Sequence, residues 1–137
     1  MLIKEIFEST HGQLLSGDLN YDVKGFTQDT RQIHEGDMYI PLKGENNDGH
    51  QYIEQAFING ASSIITSQKV DYPTKNIILV QDTMQALTDM ACYIREHRDV
   101  KVVGITGSVG KTSTKDMIYS VVSTKFKTLN TTLVYNY

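Results

Sequence analysis

Apolar residues fall in short blocks along this chain, and the period of the blocks changes from one to the next. Leu2, Ile3, Ile6 and Phe7 recur at helical spacing and predict a helix over residues 1–8. HGQLLSGD, which follows, is rich in turn formers and reads as a turn. VKGFTQDTR reads as a strand leaving into a polar loop, and residues 38–42 as a second strand that stops at Gly44. ENNDG is a loop by composition, and His50 is expected to start a helix. In HQYIEQAFINGA, Tyr52, Ile53, Ala56 and Phe57 share one helical face, with Gly60 placed as a C-terminal cap. SSIITS and IILVQ are short apolar strands on either side of the loop VDYPTKN.

Asp82, followed three residues later by Gln85, has the form of a capping box. The helix it opens is expected to bury Met84, Leu87, Met90, Ala91 and Ile94 and to end near REHRD. VKVVGIT is almost continuously apolar, as in a strand covered on both sheet faces. A glycine-rich turn comes next, then a helix from near Lys111 with Met117, Ile118, Val121 and Val122 facing inward. The alternation of strands and helices predicts an α/β class. A mixed α+β domain over residues 1–82 is followed, over residues 83–137, by the first strand–loop–helix unit of a second α/β domain.

Composition narrows the picture slightly. At 137 residues the chain can hold one domain, or a small domain and part of another. With 39% hydrophobic and 21% charged residues it reads as globular, and a net charge of −3 gives no reason to expect nucleic acid or a membrane surface as partner. The N-terminus lacks a signal-peptide pattern, and no apolar run approaches the roughly 20 residues of a membrane span, so the expected location is the cytoplasm. The single cysteine, Cys92, sits in an apolar helical pattern and is expected in the core.

Candidate chemistry is concentrated in three loops. In GITGSVGKTSTKD an apolar strand leads through a tight glycine turn into a helix that starts Lys-Thr. Backbone N–H groups at such a turn, and the partial positive charge of the helix start, bind phosphate. Gly107 and Gly110 allow close approach, Lys111 would reach the β- and γ-phosphates of a nucleotide, and the Thr112 hydroxyl would meet a magnesium ion. The spelling departs from strict Walker A, because Ile105 stands where its first glycine belongs. The other two loops, TQDTRQIHEGD and LKGENNDGHQYI, are polar and flank strands. Asp29, Thr30 and Arg31, and Gly44 and Gly49 with Glu45, Asn46, Asn47 and Asp48 between them, offer donors and acceptors suited to a base edge, a ribose or a diphosphate. By composition alone, however, ordinary surface turns are the favoured reading. ENNDGH is no EF-hand: Gly49 at loop position 6 puts Gly44 where an acidic ligand is required. His11, His34 and His97 show no metal-ligand spacing.

ITGSVGKTSTKDMI resembles the ATP loop of the Mur ligases, whose pattern T-G-x-x-G-K-[ST] accounts for Ile105. The Gly-Ser-x-Gly-Lys-Thr spelling is similar to the MurF type within that family. DTRQIHEGDMYIPLKGENNDGHQYIEQAFINGA is similar to the signature of the family's first domain, and the two blocks lie in the expected order. The resemblance covers residues 1 to about 128. It implies an ATP- and Mg2+-dependent ligase of peptidoglycan precursor synthesis, a monomer, with UDP-N-acetylmuramoyl-tripeptide and D-alanyl-D-alanine as substrates. It puts Thr30, Arg31, Gly44, Glu45, Asn46 and Asn47 near the uridine diphosphate. Gly107, Ser108, Val109, Gly110, Lys111, Thr112 and Ser113 fall on ATP, with Lys111 as the catalytic residue and Thr112 toward the metal. The family's central domain has barely begun at residue 137, and NTTLVYNY replaces an asparagine-rich segment, so the chain alone is expected to form no amide bond. Two alternatives stay open: a MurE-type ligase adding the third amino acid, whose loop usually reads Gly-Thr-Asn-Gly-Lys-Thr, and a nucleotide-sugar-binding module without catalysis.

Overall fold

The computed structural model describes residues 1–45 and 47–131. Asn46 and residues 132–137 of the NTTLVYNY tail lie outside the described residues. The chain divides into two compact units, Met1–Asp99 and a second that begins at Val100.

The first unit is built on a five-stranded sheet: β1 (Gln13–Ser16), β2 (Phe26–Thr27), β3 (Met38–Tyr39), β4 (Ser63–Thr66) and β5 (Asn76–Leu79). Their spatial order is β1-β5-β4-β3-β2. The four strands β2, β3, β4 and β5 run parallel, and β1 joins the edge of β5 antiparallel. Because side chains alternate along a strand, β3, β4 and β5 feed two cores. Met38, Ile40, Ile65 and Ile78 pack on one face with Ile3 and Ile6 of helix α1 (Ile3–Thr10) and Ala86 and Met90 of helix α3 (Thr83–His97). Tyr39, Ile64 and Ile77 pack on the other face with Ile53 and Ala56 of helix α2 (Ile53–Ile58). This covering on both sides explains why SSIITS and IILVQ lack polar alternation. Ile64, Ile65, Ile77 and Ile78 are fully buried, and each such side chain stabilises the fold by about 1.5–3 kcal/mol.

The expected strands and helices of this unit are present, with one addition. HGQLLSGD, read as a turn, contains β1. Only Gln13–Ser16 pair, and the register slips between Leu14 and Ser16, so the strand is too short and irregular for its alternation to show. The helix starts and stops were legible. The Asp82 carboxylate accepts the Gln85 N–H at 2.8 Å, which is the N-cap half of the expected box, while the Gln85 side chain turns instead to Asp89 at 2.8 Å. After α2, Gly60 N–H donates to Phe57 and Ala61 N–H to Ala56, which closes the helix in a Schellman-type pattern.

The face of α3 differs from the expectation. Thr83, Ala86 and Met90 are its buried residues and Leu87 is half-buried, whereas Met84 and Ala91 are exposed and Ile94 only partly covered. The stripe turned inward, Thr83, Ala86 and Met90, has the same 3–4 spacing, and Ala86 and Met90 join the cluster formed with α1 and the sheet. Cys92 is displaced with Ala91: it is exposed, not a core residue. Packing of α3 also carries the compact unit on to Asp99, beyond the boundary expected at residue 82.

In the second unit, helix α4 (Lys111–Val122) forms where expected. VKVVGIT does not form a strand; it has no sheet partner among the described residues, and Val102 and Val103 are 70% and 64% exposed. Nor does α4 bury its apolar face, for it has no buried residue and Met117 and Val121 are each 71% exposed. A parallel strand is buried by flanking strands and by helices on both faces, and the described residues after Val100 bring α4 alone. Among the described residues no helix is long and apolar enough to cross a membrane.

Side-chain truncations should rank as the packing does. Ile78→Ala should lower unfolding free energy by about 2–5 kcal/mol through lost contacts and a cavity, and Asp82→Ala by about 1 kcal/mol through the lost cap. Cys92→Ser should stay within about 0.5 kcal/mol because the thiol is exposed. Urea unfolding of the three variants checks the order, and a Cys92→Ser loss matching Ile78→Ala would contradict the rotated α3 face.

Candidate functional site

Parallel strands all leave a sheet by the same edge, and ligands of open α/β sheets gather there. In this chain β2 leaves into residues 28–32, β3 into residues 40–49, and β4 into Ser67 and Gln68. Both polar loops singled out from the sequence are therefore brought to one edge, next to a third segment that was not.

The first loop is shaped by Asp29. Its Oδ1 accepts the Arg31 N–H at 3.0 Å and caps a 3₁₀ turn, Thr30–Gln32. The Arg31 guanidinium then folds back onto the same carboxylate: Nε donates to Oδ1 at 2.9 Å and Nη2 to Oδ2 at 2.7 Å. The hydrogen bonds from Arg31 hold the Asp29 carboxyl well below its ordinary range, at about 2, and raise the guanidinium in turn. The side chain of Arg31 is 86% exposed. Asn59, just past α2, donates to the Thr30 carbonyl at 2.7 Å and ties the turn to the scaffold. Beside this turn lies an open pocket of about 400 Å³. Phe26, Ile40 and Leu87 supply its apolar surface, and Thr27, Asp29 and Gln32 are among its polar groups. Phe26, Gln32 and Leu87 were missed from the sequence. Phe26 alone left a signal, as a large apolar residue immediately before a polar loop.

The second loop is a narrow excursion from β3. Gly49 N–H donates to Leu42 O at 2.9 Å and Gly44 N–H to Asn47 O at 2.8 Å. A Cβ on Gly49 would stand 2.9–3.0 Å from Leu42 backbone atoms, so any side chain there would force the two arms apart. Glu45 and Asn47 are exposed, and the Asn47 side-chain oxygen accepts from Gln51 at 2.6 Å. At the loop's base the Asp48 carboxylate caps a 3₁₀ turn, Gly49–Tyr52, by accepting the His50 N–H at 3.0 Å. Asp48 also meets His50 Nδ1 at 2.6 Å, and these bonds lower its carboxyl from the usual range. His50, expected only as a helix start, is buried.

The third loop belongs to the second unit. Gly110 is the N-cap of α4, with φ +80°, and a Cβ there would meet nothing within 4 Å. Backbone conformation, not crowding, is what asks for glycine at this position. The first N–H groups of α4 lack helical partners by construction, and no side chain caps them at Gly110. Thr114 N–H, donating to Gly110 O at 2.9 Å, starts the helical ladder. Ser108, Val109, Thr112 and Ser113 are exposed around these donors. Lys111 arches over the turn and donates from Nζ to Gly107 O at 2.6 Å. An ammonium group, free N–H donors and the positive end of a twelve-residue helix thus converge on one small surface. Among the described residues no group of three or more His, Cys, Asp or Glu side chains could hold a metal by itself.

A family profile described as the Mur ligase family, catalytic domain, matches residues 22–95. The UDP-N-acetylmuramoyl-tripeptide–D-alanyl-D-alanine ligase of Bacillus subtilis is 39% identical over 128 residues, covering 91% of this chain and 28% of that enzyme. Among solved structures, MurF from Acinetobacter baumannii superposes with a TM-score of 0.79 at 31% identity over 90% of this chain and 28% of its own. The MurF ligase of Thermotoga maritima in complex with ADP gives a TM-score of 0.64 at 34% identity over 75% of this chain and 24% of its own. The chain thus spans less than a third of the relatives it matches. The profile covers more than half of it and takes in the two polar loops at the sheet edge, and on that footing the chain belongs to the Mur ligase family.

Proposed function

We propose that this chain carries the uridine-nucleotide-binding unit and the opening of the ATP-binding domain of a ligase in peptidoglycan precursor synthesis. The ligase joins D-alanyl-D-alanine to UDP-N-acetylmuramoyl-tripeptide. The observation that carries the reading is the 39% identity to the Bacillus subtilis ligase of that name over 91% of the chain. The Ser108–Val109 spelling of the phosphate loop favours this activity over addition of the third amino acid.

The two halves of the reaction fall on different units. Thr30, Arg31, Gly44, Glu45, Asn46 and Asn47 take the uridine end of the nucleotide sugar. Arg31 uses Nε and Nη2 on Asp29, which fixes the plane of the guanidinium and leaves the Nη1 donors for a ligand. Since Asp29 offsets the charge of Arg31, the pair suits a neutral acceptor such as a base carbonyl or a ribose hydroxyl better than a diphosphate. The adjoining pocket, with Phe26 and Leu87 in its apolar surface, has the mixed character that a planar base requires.

On the second unit, Gly107, Ser108, Val109, Gly110, Lys111, Thr112 and Ser113 cradle the phosphates of ATP. The α4 N–H donors and the Lys111 ammonium fit a polyphosphate by charge and by hydrogen bonding. In the reaction, the terminal carboxylate of the tripeptide attacks the γ-phosphorus and the bond to ADP breaks. The amine of D-alanyl-D-alanine then attacks the acyl phosphate at carbon, and inorganic phosphate leaves with its electron pair. Lys111 acts in the first step, where positioning and charge neutralisation matter most. The Thr112 hydroxyl would hold a magnesium ion, which would supply further charge neutralisation.

Titration of the 137-residue chain by two-dimensional NMR tests the division of roles. UDP should shift amides of residues 28–32 and 42–50, and ATP those of residues 107–113. Lys111→Ala should abolish the ATP response and leave the UDP response intact; loss of both together would contradict the division. Arg31→Ala should weaken UDP binding about tenfold, in line with loss of one charged hydrogen bond. It should also return the Asp29 carboxyl from about 2 toward the ordinary aspartate range. Because the folded-state value is the depressed one, the contribution of the clasp is present above about pH 4 and is lost as pH falls through about 2. UDP affinity should therefore show no dependence on Asp29 between pH 5 and 8, and a midpoint traceable to Asp29 in that window would contradict the clasp.

A further inference from the structure

His50 joins two loops that have no covalent reason to move together. Its Nδ1 lies 2.6 Å from Asp48 Oδ1 at the base of the β3 loop. Its Nε2 lies 3.1 Å from Ser67 N and 3.0 Å from Ser67 Oγ, at the exit of β4 and seventeen residues along the chain. A backbone N–H can only donate, so Nε2 must be the acceptor, and Nδ1 carries the proton given to Asp48. The imidazole is therefore neutral, with its tautomer fixed from both sides.

The side chain of His50 is only 2% exposed. It cannot reach a ligand at the sheet edge, yet it stands beneath the loop that the proposed function gives to the nucleotide sugar. The order carboxylate, imidazole, hydroxyl suggests a nucleophilic serine, but the Ser67 N–H is itself committed to Nε2. That removes the serine's own amide from any role in binding an oxyanion. The arrangement works instead as a cross-tie. Asp48 reinforces it by accepting from Gln68, the residue after Ser67, at 3.4 Å, and the Tyr39 hydroxyl of β3 holds Gly49 O at 3.0 Å.

We propose that His50 is a positioning residue that fixes the loop of residues 42–49 to the exit of β4 and so sets the shape of the nucleotide-sugar site without touching its ligand. This role rests on the reading of that loop as the uridine-diphosphate site. The ring is held by the Asp48 carboxylate on its own turn and by the Ser67 hydroxyl and amide after β4.

His50→Gln is the informative variant, because glutamine can satisfy one end of the tie but not both. It should bind UDP at least fivefold more weakly than wild type, and hydrogen exchange should show lost protection at the Ser67, Gly49 and Gly44 amides. Equal protection and affinity in variant and wild type would overturn the proposal. Should the variant fail to fold, Ser67→Ala, which removes the hydroxyl from the other end of the tie, is measured in its place, and unchanged protection at Gly44 and Gly49 with unchanged UDP affinity overturns the proposal. Failure of wild type to bind UDP would instead refute the proposed ligand of the loop, with the exchange data still deciding whether His50 holds it.

Discussion

A parallel strand can leave its sheet by one edge only, and the candidate site of the first unit follows from that constraint. Four strands run the same way, so the turns that follow β2, β3 and β4 are gathered together although their residues lie far apart in sequence. The direction of the strands is held by burial, because Ile64, Ile65, Ile77 and Ile78 serve two cores at once. Reversing or slipping one strand would carry its side chains to the wrong face. The loops at the edge are free to be polar and irregular because the interior leaves no choice of register.

At that edge, charge is arranged locally. Asp29 fixes Arg31, and Asp48 fixes His50, each through a side chain that also caps a short 3₁₀ turn. In both cases one carboxylate performs two tasks: it satisfies a turn amide and it orients a neighbouring side chain two residues on. The glycine loop of the second unit has no such carboxylate among the described residues. Its helix start has glycine at the N-cap, and its lysine is held by a backbone carbonyl.

What could be read from the sequence depended on how local the cause was. Asp82 and Gln85, Gly60, and the run SSIITS announced their elements because caps and buried strands leave marks within a few residues. The glycine turn into α4 was legible for the same reason, since Gly110 and the helix start at Lys111 are adjacent. β1 was not, because its pairing to β5 is distant and its four residues are broken by a register slip. The buried face of α3 was misjudged by a small rotation. Two stripes share the same spacing there, and spacing alone does not say which of them, Met84–Ala91 or Thr83–Ala86–Met90, meets the core. VKVVGIT carries the composition of a covered strand, but composition does not supply neighbours. The contacts of His50 with Ser67, and of Phe26 with Leu87 in one pocket, join residues that no local pattern relates.

The bond from Lys111 to Gly107 O has a thermodynamic meaning beyond its place in the loop. On the proposed reading, a phosphate arriving there would displace a carbonyl from a cation that it already holds. Binding would then be an exchange of partners, with a net gain equal to the difference between two charge-assisted contacts rather than the whole of one. That difference would be larger for a polyphosphate than for a weakly charged ligand.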